Sequence, residues 1–159
     1  IETVDYSLKL ENLNIKSIVE ETIINQYDKF NEKQIVPDIQ MPKGKVSIKA
    51  DESAIKRVIE NLVSNAIKYS YRNIVIILEK SKTTVNLTIS NDVENLTEKD
   101  VELLFDRFYM ADQTRTGKGT GLGLSIAKSL MDKMNGKLSA ELKDEYLYMK
   151  CSWAQTDNK

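Results

Sequence analysis

Residues 60–70 read ENLVSNAIKYS and form the second half of the most regular apolar pattern in the chain. Followed back to Asp51, the apolar residues recur at steps of three and four: Ile55, Val58, Ile59, Leu62, Val63, Ala66 and Ile67. This spacing predicts an amphipathic helix. Asp51 carries a side-chain oxygen that can cap the first turn. We therefore expect a helix that begins after Asp51 and buries one face in a core.

The polar edge of this predicted helix carries two amides and a cation. Asn61, Asn65 and Lys68 stand at i, i+4 and i+7, so they fall within an arc of about 60°. A solvated polar edge explains any one of them. Asparagine is a poor helix former, however, its amide oxygen is a hard ligand suited to Mg²⁺ or ordered water, and a lysine can face a phosphate. The three together make this edge a candidate phosphate site.

A second candidate is the glycine-rich stretch GKGTGLGL at residues 117–124. Glycines at alternate positions leave backbone N–H groups unshielded, and the helix predicted to follow adds the positive end of its dipole. Phosphate oxygens suit such a site, although glycines also serve hinges and close packing. The spacing is neither the dinucleotide fingerprint nor a P-loop.

Composition excludes several classes of chemistry. The 159 residues carry a net charge of −1, which argues against a generally basic nucleic-acid binder. The chain has no histidine, so it cannot hold a Ser-His-Asp triad, a histidine-ligated zinc or a phosphohistidine. Cys151 is the single cysteine, which excludes an intrachain disulfide and fits a reducing compartment.

The rest of the chain mixes helix and strand patterns. Helices are predicted over about 14–30, 98–108 and 121–134, and strands over 45–49, 74–79 and 84–90. A terminal hairpin is predicted from 137–142 and 146–153, turning near Asp144, and Asn135–Gly136 should end the preceding helix. Pro37 and Pro42 allow only short or edge strands between them. Because the order is not a strict βαβ alternation, it favours one two-layer α/β sandwich.

Three ordered motifs resemble those of sensor histidine kinases. Residues 60–70 resemble the N box, residues 104–109 (LFDRFY) the F box and residues 117–124 the G2 box. The resemblance implies the catalytic ATP-binding domain of the gyrase, chaperone, histidine kinase and mismatch-repair ATPase superfamily. Its fold class is α/β, an α+β two-layer sandwich of Bergerat type with a mixed sheet of about five strands backed by three helices. We expect a lead-in segment at 1–13, the ATP-binding domain at 14–153 and a polar tail at 154–159.

The resemblance also implies roles for single residues. Asn65 matches the Mg²⁺ ligand and Asn61 its partner, at a position where related ATPases carry a water-activating glutamate. Lys68 and Tyr69 match phosphate and nucleotide contacts. Phe105 and Phe108 would anchor the lid, although core aromatics fit these positions equally well. The nucleotide-binding loop and the helix start behind it match Lys118, Gly119, Thr120, Gly121, Leu122, Gly123 and Leu124.

Two departures from the family pattern affect these expectations. Asn91 stands where the G1 box usually has an aspartate that accepts the adenine amino group, and Val93 and Asn95 replace two glycines. We expect weaker adenine binding and a narrower pocket, with Asp92 as the alternative acceptor if the alignment is off by one. Met110 replaces an arginine that many members aim at the terminal phosphate, so we expect Arg115 to supply that cation.

The resemblance implies an ATP-dependent protein-histidine kinase that uses Mg²⁺. The γ-phosphate would pass to a histidine on a separate helical-hairpin domain, and from there to a response regulator. On this interpretation the chain is a cytoplasmic, monomeric fragment of a membrane-anchored homodimer and cannot phosphorylate itself. A nucleotide-binding regulator with a degenerate G1 box is the alternative, and another superfamily ATPase or a serine-directed kinase is a third possibility.

Overall fold

The computed structural model describes residues 7–106 and 123–156. The helices of these residues are α1 (Ile15–Asn25), α2 (Tyr27–Glu32), α3 (Glu52–Tyr69), α4 (Glu98–Leu103) and α5 (Gly123–Lys133). The strands are β1 (Glu11–Asn14), β2 (Asp38–Gln40), β3 (Ser47–Ala50), β4 (Ile74–Lys80), β5 (Thr84–Asp92), β6 (Lys137–Lys143) and β7 (Tyr146–Ala154).

The main sheet is mixed and has five strands in the order β2-β4-β5-β7-β6. β2 is a short edge strand that runs parallel to β4, and the other pairs are antiparallel. β1 and β3 form a separate antiparallel pair. The predicted mixed sheet of about five strands is therefore confirmed.

The helix predicted after Asp51 is confirmed as α3. Asp51 caps it, since its Oδ1 accepts a hydrogen bond from the Ala54 N–H at 2.9 Å and its Oδ2 accepts one from the Lys9 N–H at 2.8 Å. These bonds, the one from Lys9 first, lower the pKa of Asp51. The buried face holds every predicted apolar residue and Ala54 as well: Ala54, Ile55, Val58, Ile59, Leu62, Val63, Ala66 and Ile67.

Helices α1, α3 and α5 form one layer, in which α3 packs between its two neighbours. The layer packs on the main sheet through α3, which contacts β5, and through α5, which contacts β6. Alternate residues of β5 and β7 are buried and supply much of the core: Val85, Leu87, Ile89, Leu147, Met149, Cys151 and Trp153. Burial raises the pKa of the Cys151 thiol to about 12. Within the described ranges, no helix has the length and apolar character needed to cross a bilayer.

The single helix predicted over 14–30 is wrong, because the chain breaks at Gln26 into α1 and α2. Gln26 is buried, and its side chain binds α3 at two points. Its Nε2 donates to the Glu60 carbonyl at 3.4 Å, and its Oε1 accepts from the Ser64 hydroxyl at 3.2 Å. A tertiary contact therefore overrides the helical periodicity at this residue.

The chain turns where the sequence predicts. Asn135, just after the end of α5, has a φ of 63°, the left-handed conformation expected where a helix stops. Between β6 and β7, Asp144 and Glu145 have φ values of 53° and 65°. The helix predicted over 98–108 ends at Leu103, and its last two predicted residues lie outside the described part of the chain. For the helix predicted from Gly121, description begins at Gly123.

Candidate functional site

The polar edge of α3 faces the start of α5. The Nδ2 of Asn61 donates a hydrogen bond to the Gly123 carbonyl at 3.0 Å. A Cβ added at Gly123 would lie 3.8 Å from the Asn61 side chain. Asn61 and Gly123, which are 62 residues apart in sequence, are therefore in direct contact, so the described end of the glycine-rich stretch lies at the polar edge of α3.

Further along α3, the predicted phosphate-side residues follow at helical spacing. Asn65 lies one turn after Asn61 and is half-buried, whereas Lys68 is exposed in the last turn. The Nζ of Lys68 lies 5.2 Å from the ring centroid of Tyr69, within the range of a cation–π contact. This end of the helix therefore presents a solvent-accessible cation beside an aromatic ring.

Asn91, near the end of β5, is buried on the face of the sheet that the helices cover. Its exposure is 0%, and it continues the alternation of Leu87 and Ile89. Its Nδ2 donates to the Asp92 carbonyl at 3.0 Å, while its buried Oδ1 has no partner among the residues that the structure describes. An unsatisfied buried acceptor costs about 1–3 kcal/mol, so one in a native core points to a missing donor.

The carboxylate of Asp92 already accepts hydrogen bonds from the loop between α3 and β4. Its carboxylate accepts hydrogen bonds from the backbone N–H groups of Tyr71, Arg72 and Asn73 at 2.8–3.1 Å. Burial alone would raise the pKa of Asp92, but these bonds outweigh it and lower that pKa. The carboxylate of Asp92 therefore holds the loop between α3 and β4, and Asn91 carries the unpartnered acceptor.

The two residues that replace glycines, Val93 and Asn95, have different surroundings. Asn95 adopts a φ of 63°, a left-handed conformation that asparagine tolerates better than most residues. The side chain of Val93 is buried with the core, and its N–H donates to the Glu145 carbonyl at 3.0 Å.

Phe105 and Leu124 flank the segment that lies outside the described residues. Both are half-buried against the core. The Nζ of Lys128, on α5, lies 6.0 Å from the Phe105 ring centroid and donates to the Leu138 carbonyl at 3.2 Å. Phe105 is thus a packed aromatic in contact with α5, which suits an anchor as well as a core residue.

The remaining predicted site residues lie outside the described part of the chain, as do Phe108 and Met110. They are Arg115, Lys118, Gly119, Thr120, Gly121 and Leu122.

Residues 50–151 match the family of histidine kinase-, DNA gyrase B- and HSP90-like ATPases. The chain belongs to this family. The match spans α3, β5 and α5, which are the elements that carry the described site residues.

The relatives are sensor histidine kinases. The chain is similar to sensor histidine kinase YcbM of Bacillus subtilis, at 29% identity over 90% of this chain and 47% of that protein. It is also similar to sensor protein VanSC of Enterococcus gallinarum, at 34% identity over 91% of this chain and 38% of that protein. The chain thus spans less than half the length of either relative.

Solved structures agree on the fold. The catalytic domain of histidine kinase ThkA superposes with a TM-score of 0.81 at 26% identity, covering 94% of this chain and 99% of that domain. ThkA has also been solved in complex with the response regulator protein TrrA. The histidine kinase resemblance and the expected fold are confirmed, family membership supports nucleotide binding, and the degenerate-regulator alternative gains no support.

Sequence reasoning missed the hydrogen bonds by which Lys33 and Asp92 hold the loop at residues 70–73. Lys33, at the end of α2, donates from its Nζ to the carbonyls of Ile67 at 2.8 Å and Ser70 at 2.9 Å. Asp92 holds the N–H groups of the same loop. The only sequence signal for Asp92 was its place beside Asn91, and Lys33 carried none, because it lies 34 residues before Ile67.

Proposed function

We propose that the chain binds Mg·ATP between α3 and the start of α5 and passes the γ-phosphate to a histidine on a separate helical-hairpin domain. The observation that carries this proposal is the buried, unpartnered Oδ1 of Asn91. It lies in the same domain as the contact between Asn61 and Gly123, which joins the two phosphate candidates. On this proposal, Asn91 forms the end of the site that receives a base with an exocyclic amine, and the polar edge of α3 forms the end that receives phosphates.

At the base end, the acceptor has a defined polarity. Because the Nδ2 of Asn91 donates to the Asp92 carbonyl, its Oδ1 is the atom left for a ligand. An amide oxygen accepts from the amino group of adenine and has nothing to donate to the carbonyl of guanine. Adenine nucleotides should therefore be preferred, without the charge assistance that an aspartate gives.

At the phosphate end, Asn65 is the proposed Mg²⁺ ligand and Asn61 its neighbour. In the part of the chain that the structure describes, no three carboxylate or thiol side chains cluster as a metal site. Mg²⁺ commonly takes few protein ligands and completes its shell with phosphate and water oxygens, so an amide site fits. When bound, the ion would neutralise phosphate charge.

The other contacts divide between binding and transfer. Lys68 would face a phosphate and Tyr69 the nucleotide, while Lys118, Gly119, Thr120, Gly121, Leu122, Gly123 and Leu124 would form the phosphate loop and the helix start behind it. Asn61 is neutral where a hydrolytic ATPase needs a carboxylate to activate water. Arg115 is the proposed cation for the transferring phosphoryl group.

The acceptor must lie on another domain, because the chain has no histidine. We propose that residues 14–153 form the ATP-binding domain, after a lead-in segment at 1–13 and before a polar tail at 154–159. The complex of ThkA with TrrA supports a response regulator as the later phosphate acceptor. The full-length protein would be a membrane-anchored homodimer with this domain in the cytoplasm, and the chain alone a monomer.

A phosphotransfer assay tests this function directly. The chain is mixed with ATP labelled on the γ-phosphate, Mg²⁺ and the histidine-hairpin domain of the same sensor. We expect acid-labile label on the hairpin, and none when its histidine is replaced by glutamine or when Mg²⁺ is chelated. Acid-stable label on serine, or phosphate released only to water, would contradict the proposal.

A further inference from the structure

The loop at residues 70–73, between α3 and β4, is held from two sides. We propose that Lys33 and Asp92 are positioning residues that fix the end of α3 relative to Asn91, and so set the distance between the base end and the phosphate end of the nucleotide site. This inference rests on the proposed function. Lys33 lies outside the family motifs, and Asp92 is the residue that follows Asn91 in the G1-box stretch.

Lys33 grips the carbonyl side of this junction. The last carbonyls of any helix lack intrahelical donors, and α3 ends at Tyr69. The ammonium of Lys33 lies 2.8 Å from the Ile67 carbonyl oxygen, 2.9 Å from that of Ser70 and 3.4 Å from that of Lys68. Three carbonyls around one cation hold the final turn of α3 against the end of α2.

Asp92 grips the N–H side. Its carboxylate accepts from three successive backbone N–H groups at 71–73. Its Oδ2 also lies 3.4 Å from the Nδ2 of Asn73, and its own N–H donates to the Asn73 carbonyl at 3.2 Å. The loop is thereby attached to the last residue of β5.

The residues proposed to contact the nucleotide lie next to these two sets of contacts in the sequence. Lys68 and Tyr69 directly precede the held loop, and Asn91 directly precedes Asp92, whose carbonyl orients the Asn91 amide. Binding sites need their groups held to within about 0.5 Å of the productive geometry. A ligand that touches both ends gains from this fixed spacing, whereas a ligand that touches one end does not.

The test uses Lys33→Met, with Lys29→Met as the matched control. Lys29 is exposed one turn earlier on the same helix. Affinity for Mg·ATP and for Mg·tripolyphosphate is measured by competition against a fluorescent nucleotide, at a temperature where thermal unfolding shows every variant to be folded. We expect Lys33→Met to weaken Mg·ATP binding about five- to tenfold and tripolyphosphate binding less than twofold. Lys29→Met should match the wild type, and Lys33→Arg should recover most of the lost affinity.

Asp92→Asn, alone and combined with Lys33→Met in a double variant, gives a second test. Both residues act through one loop, so the double variant should lose less affinity than the product of the two single losses. If Asp92→Asn does not fold, the Lys33 series decides alone. Unchanged Mg·ATP affinity in folded Lys33→Met, or an equal loss for both ligands, would overturn the positioning role. Failure of the wild type to bind Mg·ATP would instead overturn the proposed function.

Discussion

Replacement of Asn91 by leucine should weaken Mg·ATP binding about 10- to 100-fold while changing the free energy of unfolding by less than about 1.5 kcal/mol. Leucine has nearly the same shape and removes an acceptor that is unsatisfied in the free protein. The free protein also loses the hydrogen bond from the Asn91 Nδ2 to the Asp92 carbonyl, which is worth about 0.5–1.5 kcal/mol and offsets the gain from removing the unsatisfied acceptor. The bound ligand's amine loses its partner, which costs about 1–3 kcal/mol of binding free energy. Calorimetric titration gives the affinity, and denaturant unfolding gives the stability.

The Asn91→Asp variant is the control for this prediction, because a carboxylate keeps an acceptor at the same place. It should retain more ATP affinity than Asn91→Leu, and the wild type should prefer ATP to GTP. Wild-type affinity in folded Asn91→Leu would show that Asn91 does not contact the base. A large loss of stability in that variant would show instead that the amide has a structural role.

The second large effect concerns transfer and not binding. Arg115→Ala should slow phosphotransfer to the hairpin histidine about 10³-fold, because a cation at the transferring phosphoryl group stabilises charge that grows in the transition state. The affinity for Mg·ATP should fall less than threefold. Single-turnover transfer from labelled ATP, together with equilibrium binding, separates the two quantities.

Arg115→Lys is the matched control, since it keeps the positive charge and loses the planar fork. Its transfer rate should lie between those of the wild type and the alanine variant. If Arg115→Ala lowers the affinity for Mg·ATP and the transfer rate by the same factor, Arg115 acts in binding. It would then not take over the role in transfer of the arginine that Met110 replaces.

Local patterns predicted the central helix well. The face of α3 and its Asp51 cap follow from a 3.6-residue period and a capping side chain, which neighbouring elements reinforce. The helix break at Gln26 could not be predicted in the same way. Its cause is a pair of hydrogen bonds to Glu60 and Ser64, which come from a different part of the sequence.

The site shows the same division. The polar edge with Asn61 and the glycines before Leu124 were visible because each has its own local signature, and the structure places Gly123, the last of these glycines, in contact with Asn61. Sequence alone indicated two missing glycines in the G1 box. The structure shows Asn95 in a left-handed conformation, which glycine adopts readily and asparagine tolerates better than most residues.

We expect the α3 edge, the start of α5 and Asn91 to belong to one adenine nucleotide site. Calorimetric titration of Mg·ATP into the wild-type chain tests it most directly. Binding should be saturable, with one nucleotide per chain, should weaken when Mg²⁺ is chelated and should be displaced by ADP. If no saturable heat appeared up to about 1 mM nucleotide, the binding free energy would be weaker than about −4 kcal/mol. That result would rule out a nucleotide site of this kind.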